Sequence, residues 1–143
     1  MNLNDWKIIS TYTTKEAVED GFLVRIEDDQ SKEAGIKYPV YLTRSVWDKY
    51  VEVPEGMEGE QDQSGRLWDI LFMFAMAARR TPGALLFYEL ICRIPDAGNW
   101  ETNEKVLKGE SRLNRLIRLK AVIGPQDIDD PSPGIFIMKP GED

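Results

Sequence analysis

The chain of 143 residues contains no histidine and only one cysteine. Without imidazole it lacks the usual general base, the commonest metal ligand and the switch that titrates near neutrality, so Ser-His-Asp and Cys-His catalysis are excluded and zinc is disfavoured. Enzymatic chemistry would fall to carboxylates, Lys, Tyr or Arg, with magnesium on Asp and Glu oxygens as the available metal. Cys92 stands inside the apolar segment LLFYELICRI, so no internal disulfide forms and the thiol reads as a small core group. Apolar runs fall short of the roughly 20 residues of a membrane helix. The opening MNLNDWKII carries acidic and polar residues where a signal peptide needs basic ones. The expectation is a cytoplasmic protein with no membrane partner.

Hydrophobic residues make up 42% of the chain and charged residues 30%, and four are Trp, which is enough apolar material for one continuous core. Residues 1–143 are therefore expected to form a single domain. The net charge of −7 is uneven: residues 1–69 hold 15 acidic and 8 basic side chains, residues 70–143 hold 10 of each. An acidic first half opposes phosphate contacts, so direct nucleic-acid binding is not expected, and it suits solubility or docking to a basic protein surface. DNA mimicry is the sharper form of that reading.

Capping residues and hydrophobic spacing lay out the elements. Trp6 to Ile9 is a short apolar run, and Thr13 or Thr14 caps a helical turn KEAVED that ends at Gly21. FLVRI at 22–26 reads as a strand, Ser31 as the cap of a second short turn ended by Gly35, and YPVYL at 38–42 as a strand with Pro39 at an edge or a start. Thr43 then caps the helix RSVWDKYV. VPEGMEGEQDQSG at 53–65 is a surface loop. Residues 63–80 form the main helix: Leu67, Ile70, Leu71, Phe74, Ala77 and Ala78 mark one face, and Trp68, Phe72, Met73 and Met76 make the rest apolar, so burial on most sides is expected. LLFYELICRI at 85–94, LIRLKAVI at 116–123 and GIFIMK at 134–139 read as an antiparallel three-stranded meander, with Gly124-Pro125 and Asp130-Pro131-Ser132-Pro133 as loops. Leu113, Leu116 and Ile117 also fit a helix. The fold class expected is α+β: one antiparallel sheet packed on one long buried helix.

Four segments and the terminus together, EDGFLVRI with AGIKYPVYLTRSVW, GRLWDIL, LKAVIGPQD and MKPGED, resemble a family of small proteins of unknown function carried by phages, prophages and plasmids. The likeness spans nearly the whole chain. It implies a mobile-element accessory protein in a bacterial host cytoplasm, and it carries over no catalytic residues. Asp96 to Ser111 reads as a loop, longer and more polar than the family pattern.

Several side chains are candidates for binding a ligand or partner. Lys37, Tyr38, Thr43 and Trp47 could line a pocket in which the aromatic rings stack on a base. Asp69 lies three residues after Arg66 within the apolar helix, where an ion pair would relieve the cost of burial. Asp127, Glu142 and Asp143 follow strands and could meet Lys120 or Lys139 in a carboxylate and ammonium cluster, although no calcium or magnesium loop spacing is present. Lys105, Lys108, Arg112, Arg115, Arg118 and Lys120 are the one basic concentration, interleaved with acids and suited to an acidic protein or a nucleotide phosphate. No metal, cofactor or catalytic side chain is assigned.

The functional expectation is a stoichiometric binder that inhibits or sequesters a component of bacterial defence. A small-ligand or nucleotide-processing enzyme using carboxylate and Lys chemistry, and a structural phage protein, are the alternatives. A binder should show an exposed apolar patch, and an enzyme a deep pocket in which Lys37, Tyr38, Asp69 and Lys120 converge.

Overall fold

The computed structural model describes residues 13–107 and 113–142. Trp6 to Ile9, Lys108, Arg112 and Asp143 lie outside them. Short helices alternate with short strands in the first part: α1 (Thr14–Glu19), β1 (Leu23–Arg25), α2 (Asp28–Glu33) and β2 (Val40–Thr43). Then comes α3 (Arg44–Val46), which widens into a π turn over Trp47–Val51, and the long α4 (Gln63–Arg80). Four strands complete the chain, β3 (Leu85–Arg93), β4 (Glu104–Val106), β5 (Asn114–Asp127) and β6 (Asp130–Met138).

Local chemistry explains most boundaries. Thr13 caps α1 by accepting from Glu16 N, and Gly21 leaves the helix at φ 85°. Asp62 caps α4 by accepting from Gly65 N at 2.6 Å, and Arg79 and Arg80 stand in its last turn, where positive charge suits the helix dipole. Ser31 does not cap α2 as expected. The helix starts at Asp28 behind Glu27, because Asp28 and Asp29 favour the first turn, and Ser31 lies buried within it.

The six strands form one sheet in the order β1-β2-β6-β5-β3, with β4 also on β5. The C-terminal strands make the expected antiparallel meander, β3 to β5 to β6. The sheet as a whole is mixed, because β2 runs parallel to β6 with Val40 opposite Ile135. No tight turn links β2 to β6, so nothing local imposes an antiparallel pairing. β5 is long enough to use one edge twice: Glu104–Val106 covers Arg115–Ile117, and β6 covers the stretch from Lys120 onward. A short strand therefore lies within the segment expected to be a loop.

The residues Gly124-Pro125 and Asp130-Pro131-Ser132-Pro133, expected to be loops, belong to β5 and β6, whose turn falls at Ile128 and Asp129. Pro125 pairs with Pro133 past the last β3 rung at Val122 and before the first β2 rung at Ile135. Each strand has an open edge there, so a missing N–H breaks no ladder.

Burial in β3 alternates strictly, with Leu86, Tyr88, Leu90 and Cys92 inward and Leu85, Phe87, Glu89, Ile91 and Arg93 outward. The inward set meets Ile117, Leu119, Ala121, Ile135 and Ile137 of the sheet and Leu67, Ile70, Leu71 and Phe74 of α4 in one core. Only one side of α4 is buried, however. Trp68, Phe72 and Met73 remain exposed, which corrects the expectation of burial on most sides: α4 has a sheet on one flank only. No helix among the described residues is long and apolar enough to cross a membrane.

Candidate functional site

The sheet face opposite α4 is open over much of its width and holds a groove of about 740 Å³. Leu23, Thr43, Val122, Phe136 and Met138 line it from four strands, Ala17 and Phe22 from the α1 side, and Arg44, Ser45, Asp48 and Glu142 from the α3 side. Strand alternation places these groups together. Thr43 opposes Leu23, and Phe136 lies between Tyr41 on β2 and Val122 on β5. The same face continues to the sheet edge, where Leu85 opposes Val122, Phe87 opposes Lys120 and Ile91 opposes Leu116. Phe22, Leu85, Phe87 and Ile91 are all largely exposed. The Arg118 guanidinium lies 4.6 Å over the Phe87 ring.

The polar end of the groove is closed on itself. Glu142 accepts from Ser45 Oγ at 2.6 Å, Thr43 Oγ1 at 3.1 Å and Lys139 N at 2.9 Å, and Lys120 Nζ donates to the Glu142 carbonyl. The Thr43 hydroxyl thus serves the C-terminal tail rather than the α3 backbone, which it does not cap. Glu142→Ala should lower stability by about 1–2 kcal/mol, since two hydroxyls and a backbone N–H lose their acceptor. Urea unfolding measures this, and Glu142→Gln should lose less because an amide oxygen can still accept.

A second polar centre lies on the core side, and of its residues the sequence singled out only Arg115, within the basic concentration, and Lys139, as a partner for the terminal acids. Arg115 and Glu104 have fully buried side chains joined at 2.8 Å. Lys49 bridges Glu104 at 2.8 Å and Glu101 at 2.6 Å, and Lys139 reaches Glu101 at 2.8 Å. The Tyr50 hydroxyl donates to Glu104 and accepts from Asn103 Nδ2. Arg115 also donates to Asn99 Oδ1 and Pro95 O, under the Trp100 ring at 3.9 Å. Burial pushes the Glu104 carboxyl up, but hydrogen bonds from Lys49, Tyr50 and Arg115 outweigh it, and its pKa falls below the ordinary range. Burial raises the Tyr50 pKa, and its bond to Glu104 adds to the rise. This network leaves only Arg115 Nε without an acceptor among its buried side-chain polar atoms, and it ties the 95–104 segment, the π turn and the C-terminal tail together.

The nine sequence candidates divide by position. Thr43, Lys120 and Glu142 meet at the groove. Asp127 sits at the tip of the β5–β6 hairpin and accepts from Thr14 N and Lys15 N, at 3.3 and 3.2 Å, across the start of α1. Lys37 and Tyr38 line a cavity of about 260 Å³ beside Phe74, Ala78 and Arg79. Trp47 packs partly buried against the core. Asp69 is exposed and does not form the expected salt bridge to Arg66, which turns inward to Tyr50 O, Lys49 O and Arg93 O. Partial burial raises the Asp69 carboxyl pKa, and Arg66 pulls it back. Lys37, Tyr38, Asp69 and Lys120 therefore do not converge, with Lys120 on the sheet face opposite the other three. Asp143 lies outside the described residues.

The basic concentration also disperses. Arg115 is buried on Glu104, Arg118 lies on Phe87, and Lys120 binds the tail. Burial pushes the Cys92 thiol up to about 11, against the pull of Arg66, so it is a core group and a poor nucleophile. Among the described residues no group of three or more Cys, Asp or Glu is placed to hold a metal ion.

Fold and surface together define a single α+β domain whose mixed sheet is covered by its long helix on one face and presents an apolar groove on the other. No protein-family model, curated protein or solved structure matches the chain.

Proposed function

We propose that this protein is a stoichiometric binding protein of a mobile genetic element, acting in a bacterial cytoplasm by occupying a component of host defence. The binding part is supported by one observation, the apolar surface that runs from the groove at Phe136 and Val122 to the exposed Leu85, Phe87 and Ile91 at the sheet edge. Exposed Glu89 and Arg118 interrupt this surface between Phe87 and Ile91, and an exposed apolar face crossed by charge in this way is one that another protein covers. The one carboxylate in the groove besides Asp48, that of Glu142, already accepts from Thr43, Ser45 and Lys139, which leaves it poorly placed for proton transfer to a substrate. The acidic first half suits a partner with a basic rim. The mobile-element and defence parts rest on the family resemblance alone.

The test is a quantitative pull-down with tagged protein from lysate of a phage-resistant bacterium, paired with phage plating on that strain. One host protein should co-elute at near-equal molar yield, and Phe87→Glu should reduce the yield about tenfold or more, as charge placed in an interface centre does. Plating should rise with the wild-type protein and not with Phe87→Glu. Absence of a stoichiometric protein, or equal capture by both, would sink the proposal.

The size of the groove favours a second reading, small-ligand binding, because about 740 Å³ falls within the range of ligand sites. Native mass spectrometry of the purified protein should then show a retained small molecule, lost on Val122→Trp.

A further inference from the structure

α4 carries a second apolar surface, on the side turned away from the sheet. Trp68, Phe72 and Met73 are 39%, 40% and 37% exposed, Met76 extends the row by another turn, and Asp69 is the one exposed charge among them. Trp68 and Phe72 stack with centroids 5.4 Å apart. The two ends of the helix differ in charge. Exposed Glu58, Glu60 and Asp62 lead into its N-terminus, and exposed Arg79 and Arg80 close its C-terminus. Glu60 pairs with Arg93, whereas Glu58, Arg79 and Arg80 form no salt bridge among the described residues.

An apolar row with acid at one end and base at the other is complementary to a reversed copy of itself. We infer that α4 is the interface of a homodimer in which two copies of the helix lie antiparallel about a two-fold axis beside Phe72. Symmetry then places Trp68 against Met76 of the second copy and the two Phe72 rings against each other. With a rise of about 1.5 Å per residue, Arg80 lies ~12 Å from the axis and Asp62 ~15 Å, so each arginine pair reaches the acidic entry of the other helix. A parallel arrangement would instead set acid on acid and base on base. The surface of one helix and its flanks buries on the order of 1,000 Å² in total, which belongs to reversible rather than obligate association. This interface is separate from the open sheet face, so the two proposals stand or fall independently.

Sedimentation over a concentration series tests it. The wild-type chain should pass from monomer to dimer with rising concentration, less readily in high salt. Phe72→Glu should raise the dissociation constant about tenfold or more without changing the unfolding curve of the dilute monomer. Arg79→Glu with Arg80→Glu should weaken the dimer, and adding Glu58→Arg with Glu60→Arg should restore it. Orientation is read by cross-linking: Met73→Cys, near the axis, should form an intermolecular disulfide, and Ser64→Cys, near one end, should not. Phe87→Glu should dimerise like the wild type. A chain that stays monomeric throughout, a folded Phe72→Glu that dimerises unchanged, a charge swap that fails to restore association, or equal cross-linking at 64 and 73 would each overturn the inference.

Discussion

Glu104→Ala is expected to destabilise the protein by about 3–5 kcal/mol at neutral pH, read by urea unfolding, because it strips the partner from a buried charge. Arg115 is fully buried, and among the described residues Glu104 is its only carboxylate. Lys49 would keep Glu101, and Tyr50 would lose the acceptor of its buried hydroxyl. Glu104→Gln keeps the shape and an acceptor oxygen but loses the charge, so it should fall between the two. The same residue sets part of the response to acid. Burial raises the carboxyls of Glu104 and Glu101, but bonds from Lys49 to both, Tyr50 to Glu104 and Lys139 to Glu101 leave both below the ordinary value of 4.5. A carboxyl with a lower pKa folded than unfolded contributes stability that is fully present above the unfolded value and lost as pH falls through the folded one. Wild-type stability should therefore decline as pH drops below about 4.5, and Glu104→Gln should decline less steeply. Parallel curves for the two proteins would show that Glu104 does not carry this dependence.

Phe74→Ala is expected to cost about 3–5 kcal/mol, and Phe72→Ala, two residues away, within roughly 0.5 kcal/mol of nothing, in unfolding of the monomer at low concentration. Phe74 is 2% exposed and meets Tyr88 edge-on at 6.0 Å between ring centroids, so truncation leaves a cavity under the sheet. Phe72 is 40% exposed and contacts Trp68 on the outer surface. Equal losses at the two positions would contradict the one-sided burial of α4.

That pair of residues shows where sequence periodicity loses its power. Period 3.6 identifies the buried side of an amphipathic helix through its polar face, and residues 67–78 are apolar almost all round, so Phe72 and Phe74 fall on different faces and yet both read as buried. The strands were easier to place, since alternation in LLFYELICRI needs only the sequence and one buried face. Even there the strand ends run past the turn residues. Gly124-Pro125 and Pro131-Ser132-Pro133 carry turn chemistry, and only the open strand edges beside them explain why they lie in a ladder. At the candidate site, Thr43, Lys120 and Glu142 could be suspected as polar groups near strand ends. Glu104 carries no such signal and Arg115 stands out only as one member of a basic concentration, because both resemble any other charges in a mixed polar segment until β4 lies against β5.

The amino-acid sequence by itself determined the α+β class, the main helix, the three-stranded meander, and the absence of histidine chemistry. These follow from local propensity, hydrophobic period and residue inventory, which need no knowledge of distant contacts. The tertiary structure alone decided the parallel pairing of β2 with β6, the buried Arg115–Glu104 network, the seating of Glu142 on Thr43 and Ser45, and the sides of sheet and helix left uncovered. Each of these joins residues far apart along the chain, or depends on what fails to cover a surface, and neither is encoded in any short window of sequence.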